Sequence, residues 1–162
     1  MTTTTAKPAD AIRAALKARG ISRRQVSVVH DHYSMGSSIR VRIRDAAVRL
    51  SVVKEIANAH ERVDYDRATG EILSGGNRFV DVAYDEAALA PLTAELLPAL
   101  QALRPDGTVA DLCIGFRAFI TRQQPDRVII LDQSGREVVN CYDVRYAARL
   151  LAEQIADGPD TR

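Results

Sequence analysis

The sequence predicts an α+β chain, mainly antiparallel sheet with helices packed on one face, in the order αββαβ and then αβββα. Three observations carry this. Ser38 to Arg44 alternates strictly, with Ile39, Val41 and Ile43 set against Arg40, Arg42 and Arg44, the pattern of a strand with one buried face. Stretches of helical spacing are mixed with strand-like runs, and most strand connections carry hairpin turn residues, which favours antiparallel sheet. Apolar residues make up 46 % and charged residues 27 %, so the chain can bury a core. With aromatic residues at 5 % and no Trp, that core must come from Val, Ile, Leu and Ala.

Residues 1–7 read as a disordered tail. Pro8 suits a helix's first turn, where its missing N–H costs nothing. Ala11, Ile12, Ala15, Leu16 and Arg19 follow with helical spacing, and Gly20 supplies the stop. Gln25 to His30 reads as a strand, Asp31 to Ser37 as a turn containing Gly36, and Ser38 to Arg44 as the return strand. A helix follows over 46–60, with Val48 or Leu50, Val53, Ile56 and Ala57 inward. Asp64 to Ser74 is irregular, with a small hairpin turning at Ala68-Thr69-Gly70-Glu71. Gly75-Gly76-Asn77 is turn chemistry, and Phe79 to Tyr84 is a third strand.

Asp85 is placed to cap a helix with the stripe Leu89, Leu92, Leu96, Leu100 and Leu103, restarted at Pro91 and bent at Pro98. Arg104-Pro105-Asp106-Gly107 is a turn. Residues 109–122 fit both periods, since Leu112, Phe116 and Phe119 suit a helix while Leu112, Ile114, Phe116, Ala118 and Ile120 suit a strand. The β-branched and aromatic content favours the strand. Arg127 to Leu131 is a buried strand, Asp132-Gln133-Ser134-Gly135 a hairpin turn, and Arg136 to Asn140 its partner. Asp143 caps a last helix burying Val144, Ala147, Ala148, Leu151 and Ile155, which Gly158-Pro159 ends. A boundary near Tyr84-Asp85 separates an αββαβ unit over 8–84 from a second α/β lobe over 85–158, the two expected to share one core.

The 22 basic and 21 acidic residues leave a net charge of +1, with no global pull toward nucleic acid or membrane. Nineteen of the basic residues are arginine and three are lysine. Arginine's planar fork suits carboxylate or phosphate, but abundant Ala beside it points to a GC-rich genome as the simpler cause. Cys113 and Cys141 lie in apolar segments and read as buried thiols. No apolar signal segment and no long apolar run occur, so the expected location is the cytoplasm, away from membranes.

His30-Asp31-His32-Tyr33 is the most reactive-looking cluster. On a strand His30 and His32 share a face, so both imidazoles can address one metal ion. Spacing fixes no third ligand, and His60 is far along the chain. A polar hairpin end accounts for the pair, so neither a metal nor a cofactor is expected. There is no GxSxG, and neither GxxxxGK nor GxGxxG appears. A thiol in Cys113's apolar setting tends to stay protonated. Asp64 and Asp66 read as solvated loop acids. No catalytic residues are assigned and no enzyme is expected.

Arg40, Arg42 and Arg44 are the leading candidates for contact with a ligand. Strand rise sets alternate side chains about 6–7 Å apart, comparable to the phosphates of a nucleic-acid strand, and Arg23 and Arg24 can extend the patch. The alternative is a solvated sheet face whose charge is balanced by acids on neighbouring strands, such as Asp81. No aromatic residues interleave with the ladder, against single-strand binding.

Ala11-Ile12-Arg13-Ala14-Ala15-Leu16-Lys17, Val26-Ser27-Val28, and Tyr33-Ser34-Met35-Gly36-Ser37-Ser38-Ile39-Arg40-Val41 with Asp45 carry a resemblance, over residues 11–84, to the large polyvalent protein-associated domain type 29. Val63-Asp64 and Gly75-Gly76-Asn77-Arg78-Phe79-Val80 extend it. Such domains occur in phage and conjugative-element proteins. The resemblance implies an αββαβ unit and a mobile-element setting, and no reaction. The expected function is therefore a non-enzymatic interaction protein binding a protein partner, with a nucleic-acid-binding accessory protein as the alternative. The 89–103 Leu stripe is long enough to serve a homodimer as well as a core.

Overall fold

A computed structural model describes residues 7–34, 36–73, 75–112 and 115–158. It confirms the α+β class, with four helices and seven strands among the described residues. The chain divides into two compact units, Met1–Asp85 and Glu86–Arg162.

In unit 1, α1 (Pro8–Ala18) has Pro at its first position and ends in a Schellman turn. The Ile21 N–H donates to the Leu16 carbonyl and the Gly20 N–H to the Lys17 carbonyl, with Gly20 at φ +79°. Most of the expected N-terminal tail, residues 1–6, lies outside the described residues. β1 (Val26–Tyr33) and β2 (Gly36–Ile43) pair antiparallel along their whole length, from Val26↔Ile43 to Tyr33↔Gly36. The turn expected over Asp31–Ser37 is thus shorter, because Asp31, His32 and Tyr33 continue the ladder. Ser34 and Met35 join the strands, Met35 outside the described residues. Gly36 is required here because a Cβ on it would sit 2.6 Å from the Asn77 carbonyl oxygen, a backbone atom that cannot yield.

α2 is Leu50–Asn58, starting later than the 46–60 reading. Asp45 holds the preceding residues in a turn, its carboxylate accepting from the Ala47 N–H at 3.0 Å and its carbonyl from the Val48 N–H. Of the inward residues expected, Val48, Val53 and Ala57 are buried, whereas Leu50 and Ile56 are half-buried. The small hairpin over 64–73 forms, with Tyr65 bridged to Ile72 and Asp66 Oδ1 taking the Ala68 and Thr69 N–H groups. Ser74 lies outside the described residues.

β3 (Asn77–Tyr84) pairs with β2 in parallel, so the sheet order is β1-β2-β3 with β2 central. This parallel pair sits in an otherwise antiparallel architecture. It arises because the Arg44–Gly76 connection is long enough, and contains α2, to return the chain to the same end of the sheet. Ile39, Val41 and Ile43 are 0 % exposed. They lie with Val26, Val28, Val82 and Tyr84 beneath Ile12 and Leu16 of α1 and Val53 and Ala57 of α2. The Tyr84 hydroxyl reaches the Val48 carbonyl at 2.9 Å.

Unit 2 begins with α3 (Glu86–Gln101). The restart expected at Pro91 does not occur, as both Pro91 and Pro98 sit inside one helix. Each proline removes a single N–H donor and its fixed φ remains helical, while burial of Leu89, Leu96 and Leu100 holds the turns together. β4 (Ala110–Asp111), β5 (Arg117–Ile120), β6 (Val128–Leu131) and β7 (Glu137–Cys141) form an antiparallel sheet in that order. The described residues of 109–122 hold no α-helix and contribute the two strands β4 and β5, which pair antiparallel. The stretch folds back on itself, the Leu112 N–H donating to the Phe116 carbonyl at 2.7 Å, with Cys113 and Ile114 outside the described residues. Asp132 fixes the β6–β7 turn, its Oδ1 accepting from the Ser134 and Arg136 N–H groups.

α4 (Val144–Asp157) is capped by Asp143, whose carboxylate accepts from the Tyr146 N–H at 2.7 Å. Gly158 follows at φ +76°, and Pro159 lies outside the described residues. α4 packs on β6 and β7, and α3 packs on α4. Rows Ala118–Ile130–Val139 and Ile120–Val128–Cys141 face Ala147, Ala148, Leu151 and Ala152. Cys141 is a buried free thiol. Among the described residues no helix is long and apolar enough to cross a membrane.

Candidate functional site

Alternation along β2 gives the unit 1 sheet two unlike faces. One carries the core. On the other, the registers align Val29, Arg40 and Asp81 in one row, Asp31, Ser38 and Phe79 in the next, and Ser27, Arg42 and Ala83 on the other side. Val29 and Tyr33 are 43 % and 48 % exposed there.

The arginine ladder is largely closed by this sheet's own acids. Arg40 Nε and Nη2 both donate to Asp31 Oδ2, at 3.0 and 2.7 Å. Arg42 Nη2 donates to Asp81 Oδ2 at 2.6 Å, and its Nη1 to the Val41 carbonyl at 3.2 Å. Both pairs run diagonally between neighbouring strands. Asp81 was an expected partner. Asp31 was not, since it was placed in a turn. The alternation breaks at Val28-Val29 and in the polar run His30-Asp31-His32, so the local sequence carried no signal for the longer strand. Being exposed, these pairs contribute about 0–1 kcal/mol each, and their main effect is to cancel charge.

Arg44 stands apart, one residue beyond β2. Asp45 is engaged by the Gln25 side-chain amide at 3.0 Å. That bond, with the Ala47 N–H, holds the Asp45 carboxyl below the usual range. Arg23 and Arg24 occupy the turn before β1, and Gln25 meets Arg44 through a backbone bond, so the three arginines share one end of the sheet. All three are exposed, and among the described residues none has an acidic partner.

His30 and His32 do come together, their ring centroids 4.1 Å apart, on the core-side face near the sheet's other end. Among the described residues no third His, Cys, Asp or Glu joins them to make a metal-ligating group. His30 is held below the ordinary imidazole value of 6.5, first by partial removal from water, then by the charges of His32 and Arg78. The unfolded chain therefore takes up this proton more readily than the folded one. Folded-state stability contributed by neutral His30 is fully present above about pH 6.5 and is lost as pH falls through the lower folded value. Denaturant unfolding in a phosphate-free buffer is expected to show stability rising from about pH 5 to 7, with His30→Gln flattening that slope. An unchanged slope removes His30 as its source.

In unit 2 an open hollow of about 260 Å³ is lined by Asp106, Gly107, Phe119, Thr121, Arg122 and Gln123. Arg122 Nε donates to the Asp106 carbonyl at 2.6 Å, and Thr121 Oγ1 accepts from the Gln124 N–H at 3.1 Å. No known protein family, no curated protein and no solved structure matches the chain.

Proposed function

We propose that the chain is a non-enzymatic interaction protein whose unit 1 binds a protein partner through the open face of β1-β2-β3. The observation that supports this reading is the closure of Arg40 by Asp31 and of Arg42 by Asp81. It leaves a charge-balanced sheet face with Val29 and Tyr33 exposed, a surface of protein-recognition chemistry rather than one that attracts phosphates. A phage or conjugative-element setting rests on the likeness of residues 11–84 to the polyvalent-protein domain.

A second reading, nucleic-acid contact, is favoured by Arg44, Arg23 and Arg24 at the sheet's end. One experiment separates the two. Wild type, Val29→Asp/Tyr33→Ser and Arg23→Ala/Arg24→Ala/Arg44→Ala are used to capture partners from a host lysate treated with nuclease, and each is titrated with duplex and single-stranded DNA at low salt. Protein capture lost only in the Val29/Tyr33 variant supports the proposal. DNA binding that weakens with salt and is lost only in the arginine variant supports the second reading. Capture untouched by the Val29/Tyr33 change sinks the proposal.

A further inference from the structure

Where the core-side face of the unit 1 sheet runs out toward its hairpin end, it carries nitrogen-bearing side chains that partner binding on the opposite face does not use. The register places His32, Ser37 and Arg78 in one row across the three strands, with His30 in the neighbouring row beside Ile39 and Val80. α1 packs against β1 and joins it through residues 19–25, so the two run antiparallel and Lys7, just before α1, lies at the His30 end. Although His30 is half-buried as a residue, its Nε2 is covered from solvent and has no hydrogen-bond partner among the described residues. Arg78 uses Nη1 on the His60 carbonyl at 3.1 Å, and no other atom of its fork has a protein partner among the described residues.

The acids near this group each have another partner: Asp64 lies 3.7 Å from Arg62, and Glu61 sits at Val80 in the His30 row. Asp31 projects from the opposite face and holds Arg40. Asp10 pairs with Arg13 at 2.7 Å, and Arg13 also donates to the Val28 carbonyl on the β1 edge. Glu61 Oε1 accepts from the Val80 N–H at 3.3 Å. Two imidazoles, a guanidinium, an ammonium and a hydroxyl are therefore brought to one end of this face, and among the described residues no charged member of the group has an ion-pair partner.

We propose that His30, His32, Ser37, Arg78 and Lys7 form a cradle for a phosphate group, either inorganic phosphate or the terminal phosphate of a small-molecule monoester. A carboxylate offers two oxygens and one charge to these five groups. A phosphate offers three terminal oxygens as a monoester or four as the free ion, with up to two charges near neutral pH, a better match to five such groups. An anion seated there favours the protonated imidazoles, so binding draws protons onto the pair. The inference stands apart from the proposed function, because it concerns the opposite face of the sheet.

The test follows the imidazole C2–H signals by NMR across about pH 5 to 8, first in chloride and then with inorganic phosphate, acetate or phenyl phosphate at equal ionic strength. Phosphate is expected to shift the His30 and His32 C2–H signals and to leave that of His60 unmoved. Arg78→Gln is expected to weaken phosphate binding roughly tenfold or more, as for loss of a charge-assisted hydrogen bond. Phenyl phosphate binding more tightly than inorganic phosphate assigns the cradle to a monoester, and equal or weaker binding assigns it to the free ion. Should Arg78→Gln not fold, Lys7→Gln, which lies outside the sheet, decides: weakened phosphate binding supports the cradle, and unchanged binding overturns it. Acetate acting as strongly as phosphate, or no response of either imidazole beyond that in chloride, also overturns it.

Discussion

Ile39→Ala is expected to lower the unfolding free energy of unit 1 by about 2–5 kcal/mol. Ile39 sits on the central strand, 0 % exposed, paired with His30 on one side and Val80 on the other. Truncation removes apolar atoms from a position enclosed by two strands and a helical layer, where the sheet cannot move in to close the space. In a cooperative unit of this size, each kcal/mol shifts the melting temperature by roughly 4–8 °C. Arg40→Ala, one residue along on the open face, is the matched control, with a change of about 1 kcal/mol or less. Thermal unfolding of both variants checks the register directly. Equal melting temperatures would mean that the alternation does not set a buried face against an exposed one.

Leu151→Ala is expected to cost unit 2 about 2–5 kcal/mol. The buried face of α4 is otherwise alanine, from Ala147, Ala148 and Ala152, so Leu151 is its one large fully buried side chain. It sits on the helix that lies against β6 and β7 and also carries α3. Without it, the face that joins the helices of unit 2 to their sheet holds only small side chains. Denaturant unfolding of wild type, Leu151→Ala and Leu150→Ala separates burial from helix propensity, since Leu150 is only half-buried. Comparable losses in both variants would remove the special place given to Leu151.

Local chemistry accounts for what was legible in the sequence. Pro8 and Gly20 delimit α1, Asp143 caps α4, and Asp132 to Gly135 make the β6–β7 turn. Each of these needs only a few neighbouring residues to be satisfied. The alternation Ile39-Arg40-Val41-Arg42-Ile43 placed three side chains in the core for the same reason, because side-chain direction reverses at every residue of a strand. The errors came where distant pairing outweighed local preference. Asp31, His32 and Tyr33 read as a polar turn, but each gains a ladder partner in β2. Pro91 read as a break, but packing at Leu89, Leu96 and Leu100 carries the helix through it. Residues 109–122 fitted two periods, and only neighbouring strands settle which one is used.

The sequence by itself determined the α+β class, the buried face of β2 and the candidate residues Arg40, Arg42, Arg44, Arg23, Arg24, His30 and His32. Tertiary structure alone decided how those candidates divide. Periodicity specifies which way a side chain points, but not what stands on the next strand. The parallel return of β3 through α2 sets Asp81 beside Arg42, and the full-length hairpin sets Asp31 beside Arg40, so two arginines are neutralised and Arg44 is not. The same two pairings bring Ser37 and Arg78 into line with His32, although the whole of β2 and α2 lies between His32 and Arg78 along the chain. A charge acts over a few ångströms in space regardless of sequence separation, so this grouping exists only once the strands are laid side by side.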